Sequence, residues 1–84
     1  MIRDLYMHAE LGRMIRTARE KRGVGLRELA KLIDVSPPFL SDVERGRRRP
    51  NPVIIANIAG ALGLTDTEHR RWHVFGARGD GWLV

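Results

Sequence analysis

Eighty-four residues suffice for one small domain and are too few for two. The chain has no cysteine, which excludes a disulfide framework, a thiolate zinc site and a thiol nucleophile. Thirteen Arg and two Lys against ten acids give a net charge of +5, and the longest apolar run, Val53 to Ala56, is far too short for a membrane span.

Residues 1–8 read as an N-terminal extension, apolar through Ile2, Leu5, Tyr6 and Met7. A first helix follows, with Leu11, Met14, Ile15 and Ala18 on one face and an end near Gly23, a residue suited to a C-cap. Gly25-Leu26 opens a short second helix with Leu26, Leu29, Ala30 and Ile33 inward. Asp34-Val35-Ser36 breaks it, and Asp34 is one of the few non-glycine types that tolerate a left-handed turn. Ser36 is a good N-cap for a third helix, with Pro37 at the first helical position and Leu40 and Val43 inward. Pro38 disfavours the α region at Pro37 but stiffens this entrance. Gly46 stops the helix, and Arg47-Arg48-Arg49-Pro50 makes a rigid basic loop.

Asn51-Pro52 starts a fourth helix with Ile54, Ile55, Ile58 and Leu62 inward, closed by Gly63. Thr65 and Glu68 stand at capping-box spacing and begin a fifth helix that runs to about Phe75. Residues 76–84 are glycine-rich and then abruptly apolar. The pattern predicts an all-α chain of five short helices, with no strand signal. Residues 9–64 form its main body, and residues 65–84 add a fifth helix and an apolar tail to the same domain.

The charge is concentrated. Residues 13–49 hold eleven bases against five acids, a net +6, while the remainder holds four bases against five acids. A positive block of this kind is the footprint of a polyanion bound to one face. Within it, residues 26–46 follow a helix–turn–helix grammar. Ala30 is small where two helices must cross, Asp34 suits a three-residue turn, and Leu40 and Val43 follow the turn at core spacing. In that geometry the second helix of the pair enters the major groove with its N-terminal residues at the base edges.

These residues resemble the phage-repressor and Cro-like helix–turn–helix proteins, the XRE family. The matching pieces are Leu11-Gly12-Arg13, Ile15 and Arg19 in the first helix, Glu28-Leu29-Ala30 in the second, and Val35-Ser36 at the turn. Leu40-Ser41, Val43-Glu44-Arg45-Gly46 and Pro50 follow, and Ile58-Ala59 with Ala61-Leu62-Gly63 complete the set. The resemblance covers residues 9–64. It implies a five-helix, lambda-repressor-like DNA-binding domain with the helix–turn–helix at helices 2 and 3.

The resemblance also implies roles. Arg19 and Glu44 match an ion pair joining the first helix to the third, with the arginine near a phosphate as well. Pro37, Pro38, Ser41 and Asp42 match positions facing base edges. Phe39 matches a flanking position that touches the sugar–phosphate chain or a thymine methyl. The start of the second helix, Leu26 and Arg27, and the loop Arg47, Arg48 and Arg49 match contacts to the DNA backbone. Two departures bear on base reading. The family usually opens its second helix with Thr-Gln, where this chain has Gly25-Leu26, so that glutamine's phosphate contact is lost and Arg27 is the candidate to replace it. The first two reading positions are prolines, which offer only apolar contact. Asp42 has two roles open to it: accepting from a cytosine N4 amine, or pairing with Arg45. Direct readout is therefore expected to be sparse, with phosphate grip and DNA shape carrying more of the discrimination.

His69 and His73 have a metal-compatible spacing, but no third ligand accompanies them and no metal or cofactor is expected. Arg78-Gly79-Asp80 is a chance tripeptide match. No nucleophile–base set or phosphate-cradling glycine loop points to an enzyme. Trp72, Phe75, Trp82 and Leu83 form an apolar group beyond residue 64, with three roles open to it: packing on the first helix, a homodimer contact, or a docking surface for another protein.

The sequence thus predicts a cytoplasmic transcriptional regulator of double-stranded DNA, a repressor acting as a homodimer on an inverted repeat. Two alternatives stand beside it. One is the DNA-binding antitoxin of a toxin–antitoxin pair, and the other a protein-interaction adaptor that has lost base reading.

Overall fold

In the computed structural model, which describes the backbone of residues 2–72 and the side chains of residues 9–72, four helices follow one another: α1 (Ile2–Lys21), α2 (Leu26–Leu32), α3 (Pro37–Glu44) and α4 (Pro52–Leu62). A fifth, α5, is described over residues 66–72. Residues 2–8, expected as an extension, continue α1 without a break. No strand occurs among the described residues, and no helix there is long and apolar enough to cross a membrane.

The helix starts follow from their caps. Ser36 Oγ accepts from the Phe39 N–H at 3.2 Å, and Asn51 Oδ1 accepts from the Ile54 N–H at 2.8 Å, each with proline in the first turn. At α5 the capping box closes both ways: the Thr65 N–H donates to Glu68 Oε1 at 2.9 Å, and the Glu68 N–H donates to Thr65 Oγ1 at 3.2 Å. Asp34 adopts the expected left-handed turn, with φ of 60°.

Packing is centred on α3, which lies against both α1 and α2, while α4 closes against the same two helices. Leu11 and Ile15 from α1, Leu29 from α2, Leu40 from α3 and Ile55 and Ile58 from α4 are fully buried together. Met14, Leu26 and Ile54, expected to face inward, pack at the margin of this core and remain half-buried.

Two glycines set the distance between α1 and the end of α3. A Cβ on Gly12 would lie 2.5 Å from the carbonyl oxygens of both Val43 and Glu44. A Cβ on Gly46, at φ +77°, would lie 2.7 Å from the Ala9 Cα. Only glycine lets the two backbones approach this closely.

Candidate nucleic-acid interface

The eight residues of α3 range from buried to exposed around the helix. Leu40, Val43 and Glu44 are buried, while Pro37, Ser41 and Asp42 are half-buried and Pro38 is exposed. Positions 37, 38, 41, 42 and 45 fall on one stripe of a helix with 3.6 residues per turn, away from the core. The four residues expected to face bases are thus brought together on an open face, with Arg45 at its C-terminal end.

Beyond α3 the chain turns back. The Asp42 carbonyl oxygen accepts from the backbone N–H of Arg47 at 2.8 Å and of Arg48 at 3.3 Å. This holds the exposed arginines Arg47, Arg48 and Arg49 beside the open face of α3, and the buried Pro50 anchors the loop's far end. The Arg48 guanidinium lies over the Phe39 ring, 5.2 Å from its centroid. That contact has no local sequence signal, since the partners are joined only through the folded-back loop.

Glu44 lies on the buried flank of α3, three residues on from Ser41. Arg19 Nε donates to its Oε2 at 2.7 Å and Nη2 to its Oε1 at 3.0 Å, while Nη1 donates to the Val24 carbonyl at 3.0 Å. The hydrogen bonds to Glu44 hold the Arg19 guanidinium above its ordinary pKa, against the opposing effect of burial. All three nitrogens point into the protein and both residues are buried. Arg19 therefore serves as an internal tie between α1 and α3.

Three further side chains take defined places. The Asp42 carboxylate forms no ion pair with Arg45, nor any other ion pair or hydrogen bond among the described residues. Arg22, counted in the basic block, is exposed but bonded to the protein: Nε donates to the Leu62 carbonyl at 2.6 Å, Nη1 to the Ala18 carbonyl at 3.3 Å, and Nη2 lies 3.6 Å from Glu68 Oε1. It joins the end of α1 to the end of α4 and the start of α5. Trp72, for which packing on its own domain, a dimer contact and a docking surface stood open, is buried in the core cluster, which fits the first and not the other two. Phe75, Trp82 and Leu83, named with it, lie outside the described residues, as do His73 and the Arg78-Gly79-Asp80 tripeptide.

At the start of α2, Leu26 is half-buried against the core and Arg27 is exposed. The Glu28 carboxylate accepts from the Gly25 N–H at 3.4 Å, the only side-chain cap that this helix start receives among the described residues. No group of three or more His, Cys, Asp or Glu side chains with metal-binding geometry occurs among them either.

The profile of the helix-turn-helix domain family matches residues 10–72. The uncharacterized HTH-type transcriptional regulator YazB of Bacillus subtilis is 36% identical over 63 residues, covering 74% of this chain and 91% of the relative. The uncharacterized HTH-type transcriptional regulator Rv0474 of Mycobacterium tuberculosis is 44% identical over 54 residues, or 64% of this chain, and the match spans only 39% of that relative's length. Among solved structures, the clp gene regulator ClgR from C. glutamicum superposes with a TM-score of 0.72 at 34% identity, covering 88% of this chain and 92% of that one.

Proposed function

From the premise that this chain belongs to the helix-turn-helix domain family, we propose that it is a sequence-specific regulator of transcription that binds double-stranded DNA through α3. In this reading α3 lies in the major groove, with Pro37, Pro38, Ser41 and Asp42 at the base edges. Arg47, Arg48 and Arg49 hold the phosphates on one flank, and Arg27 and the backbone at Leu26 meet the chain on another.

The observation that carries the reading is the division of α3. Its buried side is tied down by Leu40, Val43 and the Glu44–Arg19 pair, which leaves the other side open beside three exposed arginines. A helix locked in this way offers base edges a rigid surface, and the flanking cations supply sequence-independent attraction. The family is one of DNA-binding regulators, and the proposed action has no catalytic step and uses no cofactor. The protein acts in the cytoplasm as a repressor: a homodimer occupies an inverted repeat and excludes polymerase.

Selection of bound duplexes from a random pool of about 30 base pairs, at near-physiological salt, tests this directly. An inverted repeat with half-sites about one helical turn apart supports a dimeric repressor. Enrichment of a single half-site overturns the dimer, and retention without any enriched sequence overturns sequence reading.

A further inference from the structure

Arg48 is held at two points. Its backbone N–H donates to the Asp42 carbonyl, which folds the loop onto the last turn of α3. Its guanidinium lies over the Phe39 ring, 5.2 Å from the centroid. Phe39 is itself fixed, half-buried against the core and with its N–H bonded to Ser36 Oγ. No acidic side chain pairs with Arg48 among the described residues.

A guanidinium stacked on a ring engages its face and keeps its N–H donors, which lie in the plane, for another partner. An arginine so placed has already lost part of the rotamer freedom that a free side chain gives up on binding.

We propose that Phe39 is a positioning residue, whose ring holds the Arg48 guanidinium beside the α3 face with its donor edge ready for a DNA phosphate. The inference rests on the DNA-binding reading above and deepens it. Phe39 acts through Arg48, in contrast to the direct contact with sugar–phosphate or thymine methyl that the family resemblance implies.

A double-mutant cycle separates the two roles. Because a phosphate contact is indifferent to sequence, the probe is a labelled mixed-sequence duplex of about 30 base pairs, titrated with the full chain at low salt and followed by fluorescence anisotropy. Phe39→Leu keeps an apolar side chain against the core and is expected to weaken binding by about two- to five-fold per bound copy. The same change in an Arg48→Ala background is expected to have no further effect, and Phe39→Tyr to bind as the wild type does. An equal loss from Phe39→Leu in both backgrounds overturns the proposal in favour of direct contact. No loss in either background overturns it outright. If the wild-type chain binds no duplex even at low salt, the DNA-binding reading fails and this inference with it. A second measurement needs no variant: in the unbound chain the ring current of Phe39 shifts the Arg48 side-chain proton resonances upfield, and random-coil shifts there overturn the stacking itself.

Discussion

Arg19 and Glu44, 25 residues apart in the chain, meet in a two-pronged buried ion pair that joins α1 to the last turn of α3. The pair lies on the buried flank of α3, one turn from Ser41, so it sets the rotation of the helix that presents Pro38, Ser41 and Asp42. A forked guanidinium–carboxylate contact fixes orientation as well as distance. Lysine at position 19 would supply the charge but not the fork.

Removing one partner leaves the other charged and enclosed. Glu44→Ala is expected to destabilise the fold by about 3 kcal/mol, a large share of the roughly 5–15 kcal/mol that holds a domain together. Replacing both residues, as in Arg19→Met with Glu44→Met, removes the uncompensated charge and should be less harmful than either single change. Urea denaturation of the three variants checks this, and single variants that unfold at the wild-type midpoint would show the pair to be dispensable.

Gly12 and Gly60 make opposite predictions from the same substitution. Both stand in helices, where alanine is ordinarily better by about 0.5–1 kcal/mol. A Cβ on Gly60, in α4, would meet nothing within 4 Å, so Gly60→Ala should raise the thermal midpoint. Gly12→Ala drives its methyl into two backbone carbonyls of α3 that no rotamer change can move, and should cost about 1–3 kcal/mol. Equal shifts for the two variants would mean that α1 and α3 are not in close backbone contact.

The helix pattern was legible because its signals are local. Ser36-Pro37, Asn51-Pro52, Thr65 with Glu68, and the left-handed Asp34 all act within one turn of chain. The stripe of Pro37, Pro38, Ser41 and Asp42 was reached through the family resemblance, and helical period agrees in putting those positions on neighbouring sides of α3. The Arg19–Glu44 pair was reached through family resemblance rather than spacing. What stayed hidden depends on how helices meet. Charge counting treats Arg22 as one more base in the block, and only the packed fold shows its donors spent on Leu62, Ala18 and Glu68. Gly12 reads as an ordinary member of a motif until α3 is laid across it. Aromatic character alone left Trp72 open to its own core, a dimer contact or a docking surface, and its burial in the core selects the first.

Glu68 supplies a pH dependence of known sign. Its carboxyl lies below its ordinary value, chiefly because it accepts the Thr65 N–H; desolvation opposes this, and the Thr65 hydroxyl, Arg22 and Lys21 add to the lowering. A carboxylate whose pKa is depressed in the folded state contributes stability above its unfolded pKa, and that contribution is lost as pH falls through the folded value. The wild type should therefore melt higher than Glu68→Gln at about pH 6, and the difference should shrink as pH is lowered toward about 3. A difference that stays constant over that range would show that the carboxylate charge does not hold the start of α5.

The open face of α3 and the loop beside it should respond to mutation in different ways, and the contrast tests the whole placement. Arg48 and its neighbours are expected to meet phosphates, which carry no sequence information, so Arg48→Ala should weaken binding to every duplex by a similar factor. It should also make the salt dependence shallower by about one unit per copy. For a dimer neutralising roughly six phosphates, the wild-type slope of log affinity against log salt is expected near −5, and a slope shallower than about −2 would remove the clamp. Asp42 stands differently. Its carboxylate is unpaired among the described residues, and in the proposed placement beside anionic phosphates it needs a donor on a base. A cytosine N4 amine is such a donor. Asp42→Asn keeps the shape, removes the charge and adds a donor, so it should change preference at one base pair of each half-site while leaving the salt slope steep. The reverse pattern, with Arg48→Ala altering sequence preference and Asp42→Asn weakening all duplexes alike, would turn α3 out of the groove and put the loop there instead.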